Sequence, residues 1–338
     1  MPLRYMPSAH YRACGWIVVV TLLSGCATAS SQEGASQQTA ASASREVTDE
    51  LGRRVQVPSA VRRVVSLAPN LTEIVFALGE GENLAGDTDF CDYPSEATRK
   101  PHVGGTVNPS LERIVSLMPD LVLATKSINR RETVNALDRV GLPVYVSDDP
   151  HSVNDMIASV QHIGNVLGVE KSAFTVAGDL RGRLAELEQR LADTTPRRVL
   201  FVVWTDPLIS VGRNTFIADA LRRAGARSVV DTAAEWPRIS LEEMLRLQPE
   251  FLVFASAHAG DMRRDIAALH TRPGWRDLEA LRRGHVVLLS DAINRPAPRM
   301  LDAVEELARA LHPEAFSSRV IPKAFPKSAI EEACACAR

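Results

Sequence analysis

Residues able to do chemistry are sparse in this chain, and none stands in a catalytic arrangement. No G-x-S-x-G elbow, no G-x-x-x-x-G-K-[ST] loop and no H-E-x-x-H helix occurs in the 338 residues, and GEGENLAG (79–86) misses the spacing of a dinucleotide loop. The eight histidines are scattered and make no i, i+4 helical pair, so His102 and His258 read as loop or surface residues, and no metal or cofactor is assigned. What remains is recognition chemistry. TDFCDYP (88–94) carries Phe90, DTAAEWPRIS (231–240) sets Trp236 among acidic and prolyl neighbours, and RRVLFVVW (197–204) ends in Trp204. An aromatic side chain in a polar loop is costly unless it packs on something. SDAINRPAPR (290–299) carries Asp291 and Arg295, which either hydrogen-bond a polar ligand or pair with each other. Trp204 belongs to core or to pocket, and its place at a strand end favours pocket.

These residues need elements to position them. LERIVSLMPDLVLA (111–124) is echoed by LEEMLRLQPEFLVF (241–254), and in both a helical period gives way after a proline to a continuous apolar run. That switch predicts an amphipathic helix, a turn and a buried strand, written twice. Around the first copy, strands are expected at 55–58, 62–69, 84–88, 120–124 and 143–148, with helices at 70–79, about 110–118 and 130–140. Asn70 is the expected N-cap of the first helix, with Glu73 three residues on and Gly79 closing it. A long helical stretch from Ser152 to about Asp193, broken near Gly168, follows. The alternation then restarts with strands at 197–204, near 228–231, at 251–254 and at 285–290, and helices at 214–225, 261–270 and 299–312. Such β/α alternation predicts mainly parallel sheets, with ligands at the C-terminal ends of the strands.

Charge and termini narrow the classes further. A net charge of −2, evenly spread, leaves no basic footprint for nucleic acid. Residues 1–25 have a positive start and a short apolar run, too short to span a bilayer. They end in Leu23-Ser24-Gly25-Cys26, which resembles the lipobox of bacterial lipoproteins, so Cys26 is the expected site of lipidation and of membrane anchoring. Residues 26–46 are small and polar, a flexible tether. Cys14 leaves with the signal, and the remaining Cys91, Cys334 and Cys336 do not make a disulfide framework. The expected organisation is a signal peptide (1–25), a tether (26–46), an N-terminal α/β lobe (47–150), a helical connector (151–195), a C-terminal α/β lobe (196–316) and an unassigned tail (317–338).

VVSLAPNLTEIVFALG, DYP, LERIVSLMPDLVLA, EWPRIS and SDAINRPAPR, in this order, resemble the cobalamin-binding substrate-binding proteins of ABC importers, within the wider family of ferric-siderophore and heme receptors. The resemblance runs from about Val47 to Phe316. It implies two Rossmann-like lobes joined by one long helix, for which 172–193 is the candidate, with a ligand cleft between them and little hinge closure. Phe90 would line the corrinoid cleft in the first lobe, Trp236 would face it from the second, and Trp204 would add to that wall. The loop Asp291, Ala292, Ile293, Asn294 and Arg295 would make polar contacts with the ligand. Glu112 and Glu242 would meet arginines of the permease dimer. The chain departs from the pattern at Thr106 and Thr125, where the resemblance would put aromatic residues. The implied function is a periplasmic or cell-surface lipoprotein that captures cobalamin or a related corrinoid and delivers it to an ABC importer. A ferric siderophore or heme receptor is the alternative on the same scaffold, and an exported α/β enzyme a remote one.

Overall fold

The computed structural model describes residues 44–256 and 259–317. The signal segment, Cys26, His258, Cys334, Cys336 and the tail beyond 317 therefore lie outside the described residues. An antiparallel hairpin of β1 (Ser44–Thr48) and β2 (Arg54–Pro58) comes first, so regular structure begins three residues before the expected start at Val47. The first lobe follows with β3 (Val64–Ser66), α1 (Pro69–Ala77), β4 (Leu84–Gly86), α2 (Leu111–Ser116), β5 (Leu121–Thr125), α3 (Arg131–Arg139) and β6 (Val144–Ser147). Next come α4 (Val153–Leu167) and α5 (Glu170–Leu191). The second lobe holds β7 (Arg197–Val202), the short β8 (Trp204–Thr205) and β9 (Leu208–Ile209), α6 (Phe216–Arg223), β10 (Ala226–Ser228), α7 (Leu241–Leu247), β11 (Phe251–Ala255) and α8 (Ala259–Leu269). It closes with α9 (Glu279–Arg282), β12 (Val286–Leu289), α10 (Met300–Leu311) and α11 (Pro313–Phe316).

Each lobe is built on a four-stranded, all-parallel sheet, ordered β4-β3-β5-β6 in the first and β10-β7-β11-β12 in the second. Both orders run second, first, third, fourth along the chain, so the two lobes share one topology. Every residue of β5 is buried, as a strand covered by helices on both faces requires.

The internal repeat is the clearest trace of that shared plan. Ser110 and Ser240 cap α2 and α7 by accepting from the amides of Arg113 and Glu243. Both helices end in a non-glycine residue of positive φ, Met118 at 45° and Gln248 at 40°, just before the proline. In both lobes one arginine satisfies the carbonyls left open at that end. Arg63 donates to Leu117 O at 3.0 Å and Met118 O at 3.2 Å, and Arg198 donates to Leu247 O and, at 3.3 Å, to Gln248 O.

Two local expectations are corrected. Asn70 does not cap α1; the N-cap is Ala68, with no side-chain bond, because Pro69 takes the first helical position, where its missing N–H costs nothing. The strand expected at 228–231 is shifted to Ala226–Ser228, set by its parallel pairing with Arg197–Val199 of β7. Elsewhere Gly168, at φ 79°, ends α4 where the break was expected.

The lobes are not independent cores. One apolar cluster runs from β3 and α1 through α4 and α5 into α6, β7 and α10. Helix α5 contributes Ala173, Ala177, Leu180, Leu184, Leu187 and Leu191, spaced alternately four and three residues apart, a single buried stripe along about five turns.

Candidate ligand-binding site

The candidate residues sit where parallel β/α sheets expose their strand ends. Phe90 lies in the loop after β4, Trp204 directly after β7, Trp236 after β10, and Asp291–Arg295 after β12. Phe90 is 58% exposed, Trp204 61% and Trp236 49%. Trp204 is thus not a core residue; its Nε1 donates to Asp206 O at 2.8 Å, which leaves the ring open to solvent. Backbone pairing holds the two tryptophans on one ribbon. Trp204 pairs with Ile209 across β8 and β9, and Ile209 bridges Arg238, while the amides of Ser210 and Gly212 bond Pro237 O and Glu235 O. Gly212 is required for that approach, since a Cβ there would lie 1.7 Å from Ala234 O.

Three further apolar side chains on the same loops escaped the sequence reading. Tyr93 is 46% exposed, Val107 44% and Val203 41%. Their signal was weak: Val107 adjoins Thr106, Val203 adjoins Trp204 and Tyr93 follows Phe90 by three residues, but none has an unusual neighbourhood of its own. Thr125, by contrast, is 2% exposed and ends β5, so it forms no wall. Thr106 is half-buried and its carbonyl accepts from Asn129 Nδ2 at 2.8 Å.

The loop 291–295 divides sharply. Ala292 and Ile293 are 3% and 0% exposed and belong to the central apolar cluster, so their side chains offer nothing to a ligand; the short 3₁₀ turn Asp291–Asn294 points them inward. Asn294 is exposed. Asp291 and Arg295 pair with each other at 3.1 Å, the second of the two outcomes their types allowed. Arg295 also reaches the first lobe, where it meets Asp92, with one contact at 2.9 Å, and Glu73 at 3.4 Å. Arg299 joins the same group, 2.8 Å from Glu73 and 3.1 Å from Asp291, with its guanidinium 4.5 Å over the Tyr93 ring. Burial pushes the Glu73 carboxyl up from its ordinary pKa in spite of both arginines, while the Arg295 hydrogen bond holds Asp92 below the usual carboxylate range. Glu73 had looked like part of a helix cap; it is an inter-lobe ion-pair partner.

Other candidates are also placed. Glu112 and Glu242 are the second residues of α2 and α7, both exposed and neither in an ion pair among the described residues. Each follows an exposed leucine, Leu111 and Leu241, both 38% exposed. His102 Nδ1 lies 2.7 Å from Asp87 Oδ1, and burial raises the Asp87 pKa to about 6 against that partner's pull. No group of three metal-ligating side chains occurs among the described residues. Cys91 is buried between the hydroxyls of Thr72 and Thr88, each 3.2 Å from its sulfur. Arg213 pairs with Asp231 at 3.2 Å and lines a separate groove of about 1100 Å³ along α6 and β10, Arg295 is held in the ion pairs just described, and Arg238 is exposed.

A sequence model of the periplasmic binding protein family matches residues 64–292. The chain is 34% identical over 250 residues to the vitamin B12-binding protein of Vibrio parahaemolyticus, covering 73% of this chain and 88% of that one. It is 26% identical over 308 residues to YvrC of Bacillus subtilis, an uncharacterized ABC transporter substrate-binding lipoprotein, covering 89% and 96% of the two chains. Among solved structures, the apo form of the periplasmic heme-binding protein RhuT from Roseiflexus sp. RS-1 superposes with a TM-score of 0.68 at 27% identity, over 75% of this chain and 99% of that one. The periplasmic vitamin B12-binding protein BtuF of Vibrio cholerae gives 0.64 at 27% identity, over 76% and 98%. With a matching family model over most of its length, two parallel-sheet lobes and a shared apolar core, this chain belongs to the periplasmic binding protein family.

Proposed function

We propose that this protein is a substrate-binding lipoprotein that captures cobalamin or a related corrinoid and delivers it to an ABC importer. The observation that carries the reading is the exposure of Phe90, Trp204 and Trp236 on strand-end loops of both lobes, where aromatic rings have no structural reason to face water. A corrin is broad with largely apolar faces, and aromatic walls bind such a surface through burial, with stacking adding about 0.5–1.5 kcal/mol per ring pair. The similarity to vitamin B12-binding proteins points the same way. Asn294 is an exposed polar side chain that the loop after β12 offers for orientation. An anionic siderophore calls for clustered free arginines, and Arg213 is paired with Asp231 and Arg295 with Asp92. No bond is made or broken in this reading.

Delivery rests on Glu112 and Glu242, at equivalent positions of the repeated helices and free of internal partners among the described residues. Desolvated interfacial charge pairs set docking register more than raw affinity, which suits two carboxylates meeting basic residues of a permease dimer. Cys26 carries the lipid that keeps the receptor at the membrane, on the periplasmic or outer cell surface; the lipoprotein relative from Bacillus subtilis supports this.

Heme is the second reading, favoured by one observation. Tyr93 is 46% exposed three residues after Phe90, and a phenolate is an established type of heme iron ligand. Titration of the mature protein with cyanocobalamin, cobinamide, hemin and ferric siderophores, followed by calorimetry and tryptophan quenching, separates these readings. Binding of a corrinoid with no comparable binding of hemin is expected. Failure of every corrinoid overturns the assignment, and a hemin Soret band lost in Tyr93→Phe establishes the second reading instead.

A further inference from the structure

Five charged side chains from both lobes meet at one point. Glu73 comes from α1, and Asp92 from the loop after β4, two residues beyond Phe90. Asp291, Arg295 and Arg299 come from the segment joining β12 to α10. The Glu73 side chain is 2% exposed, Arg299 13%, Asp291 19% and Arg295 20%, while Asp92 alone faces water at 53%. Most of the guanidinium donors are engaged within the cluster. Arg295 spends Nη1 on Asp92 and Glu73, and Nη2 on Asp92 and Asp291. Arg299 spends Nε on Glu73 and Nη1 on Asp291, and lays its plane over Tyr93. A guanidinium already held by carboxylates on three elements has little left to grip a ligand.

Beside this cluster, apolar packing between the lobes is interrupted. A cavity of about 540 Å³ opens between α1, α5 and α10, lined by Phe76, Tyr93, Val176, Leu180 and Pro298 together with Arg299. Here the ion pairs join the two lobes at the edge of the apolar core they share. Breaking a buried pair by removing one partner leaves an uncompensated charge and is strongly destabilising, so losing one member weakens the contact as a whole.

We propose that Glu73, Asp92, Asp291, Arg295 and Arg299 form an inter-lobe clamp that sets the width of the cleft and seats the Phe90 loop against the second lobe. Arg295 and Asp291 are then positioning residues, holding the walls of the site in place of the ligand. The inference rests on the receptor reading only for what enters the cleft, so its test uses the free protein.

Hydrogen exchange of the full chain without ligand is the test. Asp92→Asn removes a surface carboxylate in the first lobe and leaves the core untouched. The amides of residues 290–299, in the other lobe, are expected to exchange at least tenfold faster, and Asp92→Glu to restore most of their protection. In return Arg295→Met is expected to speed exchange of residues 88–94. The strands Leu121–Thr125 and Phe251–Ala255 keep their wild-type rates. Acceleration confined to the substituted lobe, or spread evenly over the chain, overturns the clamp. Because no ligand is present, failure of the corrinoid assignment leaves this outcome readable.

Discussion

Truncating Trp236 to alanine tests whether the exposed aromatic side chains bind the ligand. Trp236 is 49% exposed in the free protein, so about half of its surface is available to a ligand. A tryptophan side chain buries about 150–250 Å² in full, which leaves roughly 100 Å² to be covered on binding. At about 25 cal/mol per Å² that burial is worth about 2.5 kcal/mol, and stacking on a conjugated ring adds about 0.5–1.5 kcal/mol. Part of this is recovered when the ligand settles against the shortened wall, so the net loss should be about 2–3 kcal/mol, or roughly 30- to 150-fold in Kd. Trp204→Ala, removing a ring 61% exposed, should cost a similar amount. Calorimetric titration with whichever corrinoid binds the wild type gives the numbers. Phe174→Ala is the control: Phe174 is 72% exposed but lies on α5 and not on a loop after a strand, and its loss should leave Kd within twofold. A Trp236→Ala Kd within threefold of wild type, or an equal loss in the Phe174 variant, refutes the assignment of the aromatic wall.

Three other outcomes follow from the structure. Burial raises the Asp87 pKa from 3.8 to about 6, so the folded protein holds a proton that the unfolded chain has released across this range. That contribution to stability is complete below about pH 4 and is lost as pH rises to about 6, with a span on the order of 2–3 kcal/mol. Urea unfolding at successive pH values should show the decline, and Asp87→Asn should flatten it. Arg63→Ala and Arg198→Ala each free two carbonyls at the end of a repeated helix, and should destabilise by about 1 kcal/mol apiece and to similar extents, as read from denaturation midpoints. Glu112→Ala combined with Glu242→Ala should leave ligand affinity unchanged while weakening association with the importer in membrane reconstitution; unaltered association removes the two residues from docking.

Local pattern made the architecture readable. The buried strands were visible as unbroken apolar runs because a parallel sheet is covered on both faces. The helix before each third strand was visible because its apolar period and closing proline are both properties of neighbouring residues. The same reasoning failed at Asn70 and Glu73, where a plausible capping pattern competed with Pro69 for the first helical position and lost. It also failed within 291–295. That loop was marked as one polar feature, yet it holds two core side chains, two ion-paired ones and a single exposed one. Nothing in five consecutive letters tells which of them a 3₁₀ turn will point inward.

By itself, then, the sequence determined that two similar β/α units flank a long helix, where the strand ends fall, and which aromatic residues stand in loops beyond them. These depend on periodicity and on residues a few positions apart, so they are written locally. Only the tertiary structure decided that one apolar core runs through both lobes, and that Glu73 and Asp92 meet Arg295 from more than 200 positions away. Whether a carboxylate or guanidinium is free for a ligand depends on which opposite charge the fold brings within hydrogen-bond reach. That is a property of contacts distant in the chain, and no spacing in the sequence records it.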